Sequence, residues 1–168
     1  MRRRRWPLIL IVALTAGLSL AGCSNGGRVH DGSLTVERAK ASTLAAEDEI
    51  VSLVPTKYVA DREQKSEAHL FRCSGTGYSW PGHTTVKLRS GADREAIIDA
   101  IVKHWAAKPG YSVSRSTTKP DNEPRITIQG HNGATYYVEF WYKDTQLQIS
   151  SFSPCFNHEP GQSLNDTY

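Results

Sequence analysis

The sequence predicts an α+β domain: an antiparallel sheet of about five to six strands with two helices packed on one side of it, in the order α-β-β-α-β-β-β-β. Three observations lead there. Two stretches repeat apolar residues at steps of three and four, which is the helical period. Several short stretches alternate apolar and polar residues, which is the strand period. The last strands follow one another through tight turns, so neighbours pair antiparallel.

The first helix is expected over Leu34 to Val54. Val36, Ala39, Thr43, Ala46, Ile50 and Leu53 form one stripe, Ser33 or Thr35 supplies a cap, and Pro55 ends the helix. The Glu47-Asp48-Glu49 run reads as a solvated face. Pro55 to Lys65 is polar and reads as irregular, and Glu67 to Cys73 as a short strand. Cys73 to Gly82 holds three glycines and a proline, which marks a loop, with Trp80 as a hydrophobic plug. Its Gly-x-Gly fits no phosphate-binding pattern. His83 to Arg89 alternates, with Thr84, Val86 and Leu88 on one face.

Ser90-Gly-Ala-Asp93 has the form of a capping box. The helix after it carries Ile97, Ile98, Ile101, Val102 and Trp105 on one wide face and stops at Pro109-Gly110. Strands are expected at Tyr111 to Ser116, Arg125 to Gln129, Ala134 to Lys143 and Gln146 to Ser153. Asn132-Gly133 is a hairpin signal between the second and third, and Asp144-Thr145 a second tight turn. Residues 157–168 are polar and expected to fray.

Ahead of this domain stands MRRRRWPLILIVALTAGLSLAGC. Four arginines precede an apolar run from Leu8 to Leu20, too short to span a bilayer, which is the layout of a secretory signal. Leu20-Ala21-Gly22-Cys23 resembles the lipobox of bacterial lipoproteins, and the whole resembles the small envelope lipoproteins of Gram-positive actinobacteria. The resemblance implies cleavage before Cys23, a diacylglycerol on its sulfur and a palmitate-type acyl anchor. The expected organisation is a signal peptide at 1–22, a lipidated flexible tether at 23–33, one domain at 34–156 and a polar tail at 157–168. The implied location is the extracytoplasmic face of the cell membrane.

That cleavage changes the charge and the cysteine count. The chain has 20 Lys and Arg against 17 Asp and Glu; without Arg2 to Arg5 the 20 become 16, so the mature domain is near −1. A whole-domain attraction to nucleic acid is therefore not expected. With Cys23 lipidated, Cys73 and Cys155 remain as an even pair in an oxidising compartment, which reads as a disulfide. The alternative is a reactive or metal-binding thiol.

No catalytic signature is present. The six histidines form no HxH, HxxxH or HExxH pattern, and no G-x-S-x-G elbow appears. No metal or cofactor is expected. The surface hint lies in the strand from Ala134: alternation sets Tyr137, Glu139, Trp141 and Lys143 opposite Tyr136, Val138, Phe140 and Tyr142. If uncovered, Tyr137 and Trp141, with Trp80 nearby, form a candidate binding surface. The expected function is a non-enzymatic accessory or binding protein of the cell envelope, held at the membrane through Cys23. A small-ligand or lipid carrier with a pocket between sheet and helix is the second reading, and an envelope hydrolase the third.

Overall fold

A computed structural model describes residues 30–73, 77–118, 123–141, 145–157 and 159–168. The signal segment, Cys23, the Asp144 half of the second turn, Tyr142 and Lys143 lie outside the described residues.

The fold is α+β, with two helices against one face of an antiparallel six-stranded sheet. The strands are β1 (His30–Asp31), β2 (Val59–Lys65), β3 (Phe71–Arg72), β4 (Tyr78–Ser79), β5 (Pro81–Leu88), β6 (Tyr111–Thr117), β7 (Pro124–Gly130), β8 (Thr135–Trp141), β9 (Gln146–Phe152) and β10 (Cys155–Phe156). The helices are α1 (Val36–Ser52) and α2 (Arg94–Ala106). The large sheet runs β2-β5-β9-β8-β7-β6, and a small sheet runs β1-β10-β4-β3. The small sheet caps the end of the large one where β4 leads into β5 and β9 into β10. It also contains a parallel pair, β1 with β10.

Thr35 caps α1, its hydroxyl accepting from Arg38 N. The α1 stripe is buried at Val36, Ala39, Thr43, Ala46 and Ile50. The helix lies over β5 and β9, and α2 over β6 and β7. Asp93, not Ser90, caps α2: its carboxylate accepts from Ala96 N at 3.1 Å. The expected capping box is not used. Ile97, Ile98, Ile101 and Trp105 are buried as the periodicity predicts. Gly110 ends this region at φ +83°, a conformation that L side chains rarely adopt. The Asn-Gly hairpin forms, with Gly133 N bonded to Gly130 O at 2.9 Å and Asn132 Oδ1 accepting from Ala134 N.

Two hydrophobic clusters result. The larger joins Ile50, Ile97, Ile101, Trp105, Ile128, Val138, Leu147 and Ile149 between helices and sheet. The smaller joins Val36, Ala39, Leu70, Trp80 and Phe156 under the small sheet. The disulfide Cys73–Cys155 closes this second cluster, across a sequence separation of 82.

Four expectations change. Residues 59–65 are not irregular but the edge strand β2, paired with β5 from Val59↔Leu88 to Lys65↔His83. Its charged side chains hide the strand period, because an edge strand leaves most of them in water. The segment expected to be tether as far as Ser33 joins the small sheet at His30. The tail does not fray at its end: Tyr168 and Ala68 exchange two backbone hydrogen bonds at 3.1 Å, and Thr167 bridges His69. Trp80 is fully buried, its Nε1 donating to the Tyr168 carbonyl at 3.1 Å, so it contributes to a core and not to a binding surface.

Candidate functional site

The two faces of the large sheet differ in cover. Strand alternation sends Thr84, Val86, Val138, Phe140, Leu147 and Ile149 under the helices, where all are buried. The opposite face carries no helix among the described residues. Register lines its side chains up in rows: Lys65, His83, Ser150, Tyr137 and Thr127 form one, and Glu63, Thr85, Gln148, Glu139 and Arg125 the next. Asp61, Lys87, Gln146 and Trp141 form the third.

Tyr137 and Trp141 therefore lie on the uncovered face, as alternation predicts. Trp141 is 45% exposed. Tyr137 is half-buried, with the Arg125 guanidinium 5.4 Å from its ring centroid. Glu139 stands between them. Its carboxylate pairs with Arg125 Nε and accepts from Trp141 Nε1 at 3.0 Å. Its side chain is only 13% exposed, so the pair is partly desolvated and holds the two aromatic rings in place.

Two aromatic residues extend this surface beyond what sequence suggested. Phe152 packs edge-on against Tyr137 with centroids 6.4 Å apart. Phe71, 54% exposed, packs edge-on against Phe152 at 5.9 Å. The first contact crosses the β8–β9 hairpin diagonally, and the second joins strands far apart in the chain, so no local pattern announces it.

At the middle of the face, His83 Nε2 lies 3.2 Å from Thr85 Oγ1, and Nδ1 lies 3.5 Å from Ser150 Oγ. Burial lowers the His83 pKa, the Lys65 charge lowers it further, and Glu63 opposes. The imidazole is thus biased toward its neutral form. Both β5 and β9 are interior strands, so their backbone N–H groups serve the ladder rather than an oxyanion.

On the covered face lies a group that sequence reasoning misplaces. Glu47, expected in water, is fully buried. Ser151 Oγ donates to one carboxyl oxygen; Thr84 Oγ1 at 2.7 Å and Gln64 Nε2 at 3.1 Å donate to the other. The carboxyl sits over Gly82, where an added Cβ would stand 2.4 Å from Glu47 Oε1. Burial raises the Glu47 pKa above 4.5, against the three hydrogen bonds, with the Asp48 charge adding to the rise. The signal was present: Glu47 falls four residues after Thr43 and three before Ile50, on the buried stripe. Glu49, by contrast, is half-exposed and bridges the helices, meeting His104 Nε2 and Lys108 Nζ at 2.8 Å each.

Between α2 and the sheet, where a carrier would place its ligand, Trp105 is fully buried and fills the space against Tyr111 at 4.8 Å and Tyr136 at 5.9 Å. A depression of about 300 Å³ lies at the rim instead, lined by Pro109, Gly110, Tyr111, His131 and Asn132. No three His, Cys, Asp or Glu side chains gather as a metal site among the described residues.

No protein-family model matches the chain. No curated protein matches it either. Among solved structures, the chain is similar to a DUF4853 family protein from Actinomyces odontolyticus, at 15% identity and a TM-score of 0.48, over 79% of this chain and 73% of that one.

Proposed function

We propose that this protein is a lipid-anchored envelope protein that binds a partner and does no chemistry itself. Its acyl chains sit on Cys23, and it presents the uncovered face of its large sheet on the extracytoplasmic side of the membrane. One observation carries the binding reading: one face of the sheet is sealed by two helices, while the other holds Tyr137 and Trp141 in fixed positions around the Arg125–Glu139 pair. Aromatic rings held by a partly desolvated ion pair lose little rotamer freedom when a partner covers them. The disulfide suits an oxidising compartment, which supports the location. Two acyl chains suffice for stable anchoring where one is marginal.

The hydrolase reading draws on His83 and the Ser150 hydroxyl on the uncovered face. At 3.5 Å, on a face whose interior-strand amides are engaged, that pair lacks the oxyanion donors acyl transfer needs. Binding is therefore the better supported reading.

The test has two arms. Replacing Cys23 with Ser should end palmitate incorporation and release the protein from the membrane fraction; continued labelling refutes the anchor. A photo-cross-linking residue at position 146, opposite Trp141 on the same face, should give one discrete adduct in intact cells that Trp141→Ala removes, while the same residue at exposed position 103 on α2 gives none. Equal capture at both positions, or none at 146 with Trp141 intact, refutes the binding face.

A further inference from the structure

The place where the chain enters the fold decides which end of the domain meets the anchoring surface. Cys23 precedes His30 by seven residues, a reach of at most about 25 Å fully extended. His30 opens β1, and β1 is hydrogen-bonded into the small sheet. From this placement we infer that the small-sheet end makes a second, direct contact with the bilayer through Phe71 and Arg72, standing the large sheet upright with Trp141 pointing away from the lipid. The inference rests on the anchor proposed above.

Phe71 and Arg72 make up β3, the opposite edge of the small sheet from β1. Three strand spacings separate the two edges, about 14 Å. A tether of that reach leaves β3 within contact distance of the headgroups. Phe71 is 54% exposed, and Arg72 beside it is also exposed. As neighbours on an edge strand, their side chains leave opposite sides of it. A bilayer met edge-on can therefore take the Phe71 ring at its apolar boundary while the Arg72 guanidinium, 5.8 Å from the Tyr78 ring centroid, meets lipid phosphates.

Trp141 belongs to the other pole. Phe152 marks the small-sheet end of β9, and Gln146, opposite Trp141, marks the far end. The strand rise puts the two about 20 Å apart. A domain lying on its uncovered face would instead press the Asp61–Lys87 and Arg125–Glu139 ion pairs, with Glu63 and Lys65, against lipid, which costs desolvation.

The test attaches the lipid chemically, so that it does not depend on acylation in cells. With Cys73 and Cys155 oxidised, the mature chain offers Cys23 alone for coupling to a maleimide lipid. The vesicles are equal parts phosphatidylcholine and phosphatidylglycerol with brominated acyl chains. The pair Phe71→Trp and Trp141→Phe reads position 71, the native chain reads Trp141, and Trp141→Phe alone gives the background of buried Trp80 and Trp105. Bromolipid should cut emission at position 71 roughly twofold, as expected for a ring seated at the acyl boundary, and leave Trp141 unchanged. Adding Arg72→Glu should weaken the quenching at 71, which keeps the test independent of any local effect of the new tryptophan. Quenching at both positions means a face-down domain and overturns the upright contact. Quenching at neither means a domain hanging free on its tether and overturns the contact itself. A concentration-dependent emission shift at 71 without vesicles means a second copy covers Phe71, and overturns it likewise. Palmitate labelling in cells reports separately on the anchor.

Discussion

Along β9, Leu147, Ile149 and Ser151 point beneath the helices and are buried, while Gln146, Gln148, Ser150 and Phe152 point the other way and stay half-exposed. The same seven residues thus serve two environments. Beneath the helices, buried hydroxyls are tied to a buried carboxyl: Ser151 and Thr84 both donate to Glu47. On the other side, charges pair across the strands at the surface, as in Arg125–Glu139 and Lys87–Asp61, and rings remain accessible. The difference teaches that the covered face specifies the fold, and that the uncovered face is free to specify a partner.

Three perturbations break or sharpen that contrast. The largest effect is expected from Gly82→Ala. The new Cβ would stand 2.3 Å from Ser151 Oγ and 3.0 Å from Thr43 Cγ2, besides the Glu47 carboxyl. Relief requires breaking the Glu47 network or lifting α1, a loss of about 1–3 kcal/mol. A urea midpoint that does not fall would refute the close approach of helix and strand.

Next comes Glu47→Gln. In the folded chain the Glu47 pKa is raised above 4.5, so folding retains a proton that the unfolded chain gives up. Its stabilisation is complete below that unfolded value and is lost as pH rises through the folded one. Glu49 runs the other way: burial opposes, but His104 and Lys108 hold its pKa low, so its contribution is lost as pH falls. The Gln variant should therefore lose less stability than the parent as pH rises from below 4.5 through the raised Glu47 pKa. Melting curves of the two proteins that stay parallel across this range would show Glu47 does not titrate as described.

The smallest effect on stability is expected from Trp141→Ala, under about 1 kcal/mol, because nearly half of the residue is in water. The same change should abolish the cross-link proposed above for the uncovered face. A melting temperature that drops as far as for Gly82→Ala would mean the face is structural after all.

The helices were legible because a packed face repeats every three or four residues, and α1 and α2 each bury one. β8 was legible because burial on one side only makes its residues alternate. Edge strand β2 was not, since both its faces carry charge. Glu47 was missed because an acidic run ordinarily marks solvent; only its place on the stripe told against that. The tail contacts, the Phe71–Phe152 stack and the His83–Ser150 pair all join residues whose proximity is decided by strand register, which no local window contains. Of the candidate surface, sequence located Tyr137 and Trp141, misplaced Trp80, and left Arg125 and the two phenylalanines to the fold.

In the lipid-anchored arrangement proposed above, the Cys73–Cys155 bridge acquires a mechanical meaning. Load entering at His30 first meets β1, held by a short pairing to β10, and then α1 and β2, all ahead of Cys73. Beyond that point the covalent bridge carries the force directly to Cys155. The 82-residue separation it spans corresponds to about 290 Å of chain that tension cannot draw out. Tension between the proposed anchor and the C-terminal tail would then bypass strands β5 to β9, together with the face proposed for binding.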